Sequence, residues 1–142
     1  MQVFSGLEQI RRRPEMYFPG GVTPSSICSC LLDDCLSLGA TRLRLDCIDG
    51  WYVVSADVDW LQLPENRAIP LERLFGGMYP HPTRINGVRA EAFVGAFAEA
   101  AYAATPEETR LVVGNLILPD TVSTSLCPAQ CVCSVAFLLG SG

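Results

Sequence analysis

The sequence predicts an α/β fold of the α+β two-layer sandwich type, with helices on one face of a mostly antiparallel mixed sheet. Three observations predict it. Apolar residues recur at helical spacing from Ile27 to Leu38. Two strand-like runs flank an Asp49-Gly50 hairpin signal. The element order is helix, helix, hairpin, two more helices, then strands, which places helices beside a sheet. With 142 residues, 49% of them hydrophobic, the chain is one domain (1–142) with its own core and is not disordered. It contains no internal repeat and no linker.

The elements follow in order. Ser5-Gly6-Leu7-Glu8 fits a capping box, so a short helix runs to about Arg13 and Pro14 ends it. Pro19-Gly20-Gly21 is a loop. A second helix starts near Ser25 and stops at Gly39, with Ile27, Cys28, Leu31, Leu32, Cys35 and Leu38 on one face. Arg42 to Ile48 alternates polar and apolar, and Trp51 to Ala56 continues the hairpin. Pro70 to Phe75 reads as a short helix with Pro at its first position, closed by Gly76-Gly77, and Met78 to Ile85 as loop. Asn86 is placed to cap a long helix with Phe93, Phe97 and Ala101 on its buried stripe. Arg110 to Leu118 reads as a hairpin turning at Gly114-Asn115, and Cys131 to Leu139 as the last strand.

Charge and composition narrow the function classes. The net charge is −5, and all ten basic residues are arginine. That balance argues against duplex DNA as a direct partner, because phosphate binding needs a clustered cationic surface. Arg11-Arg12-Arg13 is the one basic cluster, and it reads as a solvated helix face. No apolar run approaches the roughly 20 residues of a membrane span. The N-terminus has no signal-peptide h-region, which makes the cytoplasm the expected compartment.

Gly6 to Tyr17, GLEQIRRRPEMY, carries the most information. It resembles the segment G-L-E-x-V-R-x-R-P-x-M-Y that opens the ATPase domain of the DNA gyrase B and topoisomerase IV family, in the GHKL (Bergerat-fold) superfamily. The resemblance implies a nucleotide-binding fold and an ATPase activity of the type II topoisomerase class. It also implies four places where chemistry belongs, and the chain departs from the family at each.

The family helix E-x-x-D-N supplies a general-base glutamate and a magnesium-holding asparagine. Cys30-Leu31-Leu32-Asp33-Asp34 stands there, with Cys30 at the base and Asp34 at the magnesium ligand. A thiol of ordinary pKa about 8.5 does not replace a carboxylate, and losing a general base typically costs about 10²–10⁴ in rate. Asp34 still offers an oxygen to magnesium; equally, Asp33 and Asp34 fit the polar face of an amphipathic helix. The adenine-reading D-x-G-x-G becomes Asp57-Val58-Asp59-Trp60, keeping Asp57 and losing both glycines. Trp60 reads either as filling the adenine volume or as an ordinary core tryptophan. The phosphate-cradling G-G-L-H-G-V-G becomes Asn86-Gly87-Val88-Arg89-Ala90-Glu91-Ala92, with one glycine. Glu91 brings a negative charge towards the phosphates, where like charges about 4 Å apart repel by about 4 kcal/mol. Arg89 reads as a compensating phosphate contact or a solvated residue of the first helical turn. In the last strand Cys133 takes the place of a threonine supporting the adenine aspartate. Read as a stand-alone chain, the sequence also lacks the family's phosphate-sensing lysine, its following domain and its dimer-clasping arm.

Seven cysteines, an odd number in a chain without secretion signals, do not suggest a disulfide framework. Cys28-x-Cys30 and Cys127-x3-Cys131-x-Cys133 raise a zinc reading, against which the spacing argues. On a helix Cys28 and Cys30 point about 200° apart. A narrower reading pairs Cys30 with Cys133 as a redox couple.

These readings converge on a degenerate gyrase-B-like domain without ATPase activity or cofactor, acting as a protein-binding or scaffold module. Its partner is another protein or a second copy, met through apolar residues such as Trp51, Tyr52, Met78 and Tyr79; DNA and membrane are not expected partners. One alternative keeps weak nucleotide binding, with ATP and magnesium held through Asp57 and Asp34. The other is a cysteine-based redox or metal-binding protein. In both the leading reading and the first alternative, the vestigial nucleotide positions are Asp34, Asp57, Asn86, Gly87, Arg89 and Cys133.

Overall fold

A computed structural model describes residues 6–62, 69–77 and 89–140. Helix α1 (Gly6–Arg12) runs into Pro14, and a 3-10 turn (Pro14–Met16) follows. Ser5 of the expected capping box lies outside the described residues. Helix α2 (Pro24–Ser37) begins one residue before the expected start. Thr23 is its N-cap, with Pro24 at the first helical position and a reciprocal Thr23–Ser26 capping box.

Strands β1 (Leu43–Ile48) and β2 (Trp51–Ala56) form the expected hairpin. Asp49 and Gly50 both have positive φ, at 51° and 84°, as a two-residue type I′ turn requires. Helix α3 (Leu71–Phe75) uses Pro70 as its N-cap.

The next segment departs from expectation. Helix α4 is short (Glu91–Phe97), and Ala98–Ala104 is strand β3 where the expected long helix would have continued. Asn86, its expected cap, and the loop from Met78 lie outside the described residues. Alanine favours helix locally. Here, however, β3 is hydrogen-bonded on both sides, to β5 and to β4, and that pairing outweighs local propensity. Strand β4 (Thr109–Val113) pairs back on β3 through a turn in which Thr105 and Glu108 exchange backbone hydrogen bonds. The expected hairpin at Gly114-Asn115 is therefore replaced by one at 105–108. A short helix α5 (Asp120–Ser123) follows, and β5 (Cys133–Leu139) closes the chain.

Among the described residues the strands form one five-stranded sheet in the order β1-β2-β5-β3-β4, and every pairing is antiparallel rather than mixed. Helices α1 to α4 cover one face. Ile10, Ile27, Leu31, Phe75 and Val94 meet Val54, Val135 and Phe137 there. The opposite face holds a smaller cluster of Trp51, Val53, Ala100 and Ala136 under Val122 of α5. Helices thus lie on both faces, not one. Trp51, an expected surface residue, is buried in that second cluster, and Tyr52 is half-buried and stacked on Phe137. Met78 and Tyr79 lie outside the described residues. Also on the second face, Ser55 and Ser134 share a buried 2.7 Å hydrogen bond, and Ser134 Oγ accepts the Cys127 N–H at 2.8 Å. Among the described residues no helix is long and apolar enough to cross a membrane.

Candidate functional site

Helix α2 sets Cys30 and Asp34 one turn apart, so both face the same side of the helix. Cys30 is half-buried against the main core. Asp34 is 2% exposed, and its Oδ2 accepts the Ala90 N–H at 2.7 Å. Ala90 is the N-cap of α4 and caps nothing with its own side chain. A carboxylate from another helix therefore satisfies a donor at this helix entry, where backbone N–H groups otherwise lack partners. Asp33 points to solvent, so the two aspartates divide between surface and core instead of sharing a polar face.

Immediately before α4, Arg89 is 4% exposed. Its Nε donates to Glu91 Oε2 at 2.7 Å, and its Nη2 donates to the Trp60 carbonyl at 2.6 Å and the Leu61 carbonyl at 3.4 Å. It is not the solvated first-turn residue that one sequence reading allowed. Glu91 is completely buried. Burial pushes its carboxyl up to about 7, against the pull of the Arg89 guanidinium, and the nearby Asp34 charge adds to the rise. Glu91 Oε1 and the Trp60 indole N–H have no hydrogen-bond partner among the described residues. Trp60 itself is fully buried in the main core, beside Leu61 and the α2 residues, as the core reading of this residue has it.

Asp57 follows β2 directly, and its side chain turns back towards the start of β1. Its Oδ1 accepts the Thr41 N–H at 3.0 Å and its Oδ2 the Thr41 hydroxyl at 2.5 Å. Those bonds hold its carboxyl below the ordinary carboxylate range. Asp59 turns forward instead, its Oδ1 accepting the Leu61 and Gln62 N–H groups at 3.3 and 3.2 Å. The two aspartates fix the chain on either side of Val58 and send Trp60 inward. Cys133 is buried in β5; burial, then the Asp59 charge, raises its thiol well above the ordinary value. Asn86 and Gly87 lie outside the described residues.

The structure therefore brings Asp34, Arg89 and Glu91 together at the entry to α4 and leaves Asp57 just beyond β2, bonded to Thr41 ahead of β1. Neither aspartate lines either of two clefts. One, of about 140 Å³, lies between Asp59, Leu61, Leu71, Ala104, Glu108, Arg110 and Cys133. The other, of about 320 Å³, is a surface hollow around Arg12, Met16 and Tyr17. A magnesium–nucleotide group does not fit the described residues as they stand: Asp34 is engaged with Ala90, and Arg89 is engaged with Glu91 and Trp60.

None of the seven cysteines, all among the described residues, is in a disulfide. Burial pushes Cys28 up to about 11 and raises Cys35 further, so neither supplies a thiolate near neutral pH. No group of three or more His, Cys, Asp or Glu side chains among the described residues is arranged to hold a metal ion.

Sequence reasoning missed the Asp34–Ala90 bond and the burial of Arg89 and Glu91. One signal was available: three consecutive residues, Arg89-Ala90-Glu91, place opposite charges two apart at a helix start preceding an apolar run. No protein-family model matches this chain, and no curated protein sequence matches it.

Proposed function

We propose that this domain is a degenerate gyrase-B-like (GHKL-type) fold that does not turn over ATP and acts as a protein-binding or scaffold module. One observation carries the reading. The groups assigned to nucleotide chemistry at the entry to α4 are engaged with this chain's own groups inside the core: the Asp34 carboxylate accepts the Ala90 N–H at 2.7 Å, and Arg89 donates to Glu91. An anionic side chain thus sits at the helix start where a bound phosphate would need a donor. Cys30 at the general-base position removes a further factor of about 10²–10⁴ in rate.

The test is calorimetric titration of ATP with and without magnesium, together with a phosphate-release assay. No saturable heat and no magnesium-dependent release are expected. A Cys30→Glu variant should stay inactive, because restoring the base frees neither Asp34 nor Arg89. Magnesium-dependent turnover that disappears in an Asp57→Asn variant overturns the reading.

A further inference from the structure

Strand β1 pairs with β2 and, among the described residues, with no other strand, so its far side is a sheet edge. The ladder decides which backbone groups face outward. Asp57 donates its N–H to the Arg42 carbonyl, so Arg42, Arg44, Asp46 and Ile48 turn their N–H and C=O groups towards β2. The two-residue turn at Asp49-Gly50 demands the same parity. Leu43, Leu45 and Cys47 therefore turn theirs to the open side.

Exposed edges usually carry features that block pairing with another strand. The two charges of β1 do the opposite. Arg44 and Asp46 lie on one face, with Arg44 Nε 2.9 Å from Asp46 Oδ2. Reversed against itself, such a strand presents each charge to its opposite. The other edge, β4, lacks this property: Arg110 is its only charge, and it is paired with Glu72 and Glu108.

We propose that β1 pairs antiparallel with β1 of a second copy of this chain, about a two-fold axis through Leu45, joining two sheets into one. In this register Leu45 meets its own copy, and Leu43 meets Cys47 of the second copy. These are the outward-facing residues, so each such pair exchanges backbone hydrogen bonds. Arg44 falls opposite Asp46 of the second copy in the closer, non-hydrogen-bonded type of pair, with Cα atoms about 4.5 Å apart. Every charge in the resulting square then has opposite charges along its own strand and across the joint. Leu45, 49% exposed in the single chain, gains an apolar neighbour. A symmetric joint of this kind closes on itself and makes a dimer, not a fibre. Pairing one strand covers less than the roughly 1,200–2,000 Å² of a standard stable interface, so the dimer is reversible.

This inference goes beyond the nucleotide reading, and its test involves no nucleotide. Sedimentation equilibrium from about 1 μM to about 1 mM, the span of weak association, should show the mass rise from 15.4 kDa towards twice that value. Arg44→Asp alone, or Asp46→Arg alone, places like charges opposite at two points and should weaken the dimer about tenfold or more. The doubly exchanged variant, Arg44→Asp with Asp46→Arg, should regain it. An equimolar mixture of the two single variants should form a mixed dimer. Leu45→Pro removes an outward N–H without touching the β2 ladder and should abolish pairing. A mass fixed at 15.4 kDa over the whole range, or a dimer indifferent to the single charge reversals, overturns the proposal.

Discussion

Glu91 shows how burial and pairing oppose each other at one side chain. Desolvation is the larger effect, and it outweighs the 2.7 Å bond from Arg89, so the carboxyl titrates near 7 instead of the ordinary 4.5. The folded protein then binds more protons than the unfolded chain between those two values. Stability from this group is therefore complete below about 4.5 and falls as pH rises to about 7. The charged groups acting on it are Arg89 and Asp34. Urea unfolding of the protein and of Glu91→Gln at pH 5 to 8 should show the native sequence losing stability relative to the variant by a few kcal/mol, at roughly 1.4 kcal/mol per unit. Parallel curves would contradict the burial of Glu91. Removing the side chain altogether, as Ala, leaves Arg89 buried without its carboxylate and should cost about 3–5 kcal/mol. At this scale the sequence was a partial guide. It marked Asp34, Asp57, Arg89 and Glu91 as residues that matter, but not that three of them bind inward, because a charged residue's partner is set by which helix ends meet in space.

At the scale of elements, the β1–β2 hairpin and α2 were legible because local chemistry decides them: an Asp-Gly turn and an amphipathic run with a capping pair. The junction at Phe97–Ala98 was not. Ala98 to Ala104 has a helix-favouring composition, yet it lies between two strands and under helices, where small side chains let both layers approach. Gly95 belongs to the same junction. A methyl group there would overlap the Phe75 carbonyl oxygen at the end of α3, and the Gly95 carbonyl accepts from Arg11 Nη2 at 3.1 Å. The glycine thus lets α3 and α1 close against α4. Gly95→Ala should lower stability by about 1–3 kcal/mol or more, since the obstacle is backbone and cannot rotate away. An unchanged denaturation midpoint would show that α3 does not pack on α4 in this way.

Across the whole molecule, the placement of charge bears on which partners the domain can meet as well as on what holds it together. The −5 balance and a sheet with helices packed against it could be read from sequence; that every pairing is antiparallel, and the cover over the second face, could not, since residues 114–127 carry little periodicity and reach the sheet through Val122 and a Thr121 hydroxyl bound to the Asp49 carboxylate. Four of the eight arginines among the described residues are held by named partners. Arg11 donates to the Gly95 and Ala96 carbonyls, Arg44 pairs with Asp46, Arg89 with Glu91, and Arg110 with Glu72 and Glu108. Arg11 thus joins α1 to the end of α4, which takes one member out of the only basic cluster. A duplex needs several free cations in a row to release its counterions, and even non-specific binders reach only about 10⁻⁴–10⁻⁶ M at physiological salt. Fluorescence anisotropy of a labelled duplex should therefore stay flat as protein is added, at about 0.05 M salt as at about 0.2 M. Micromolar binding that weakens steeply between those two concentrations would overturn the expectation that DNA is not a partner.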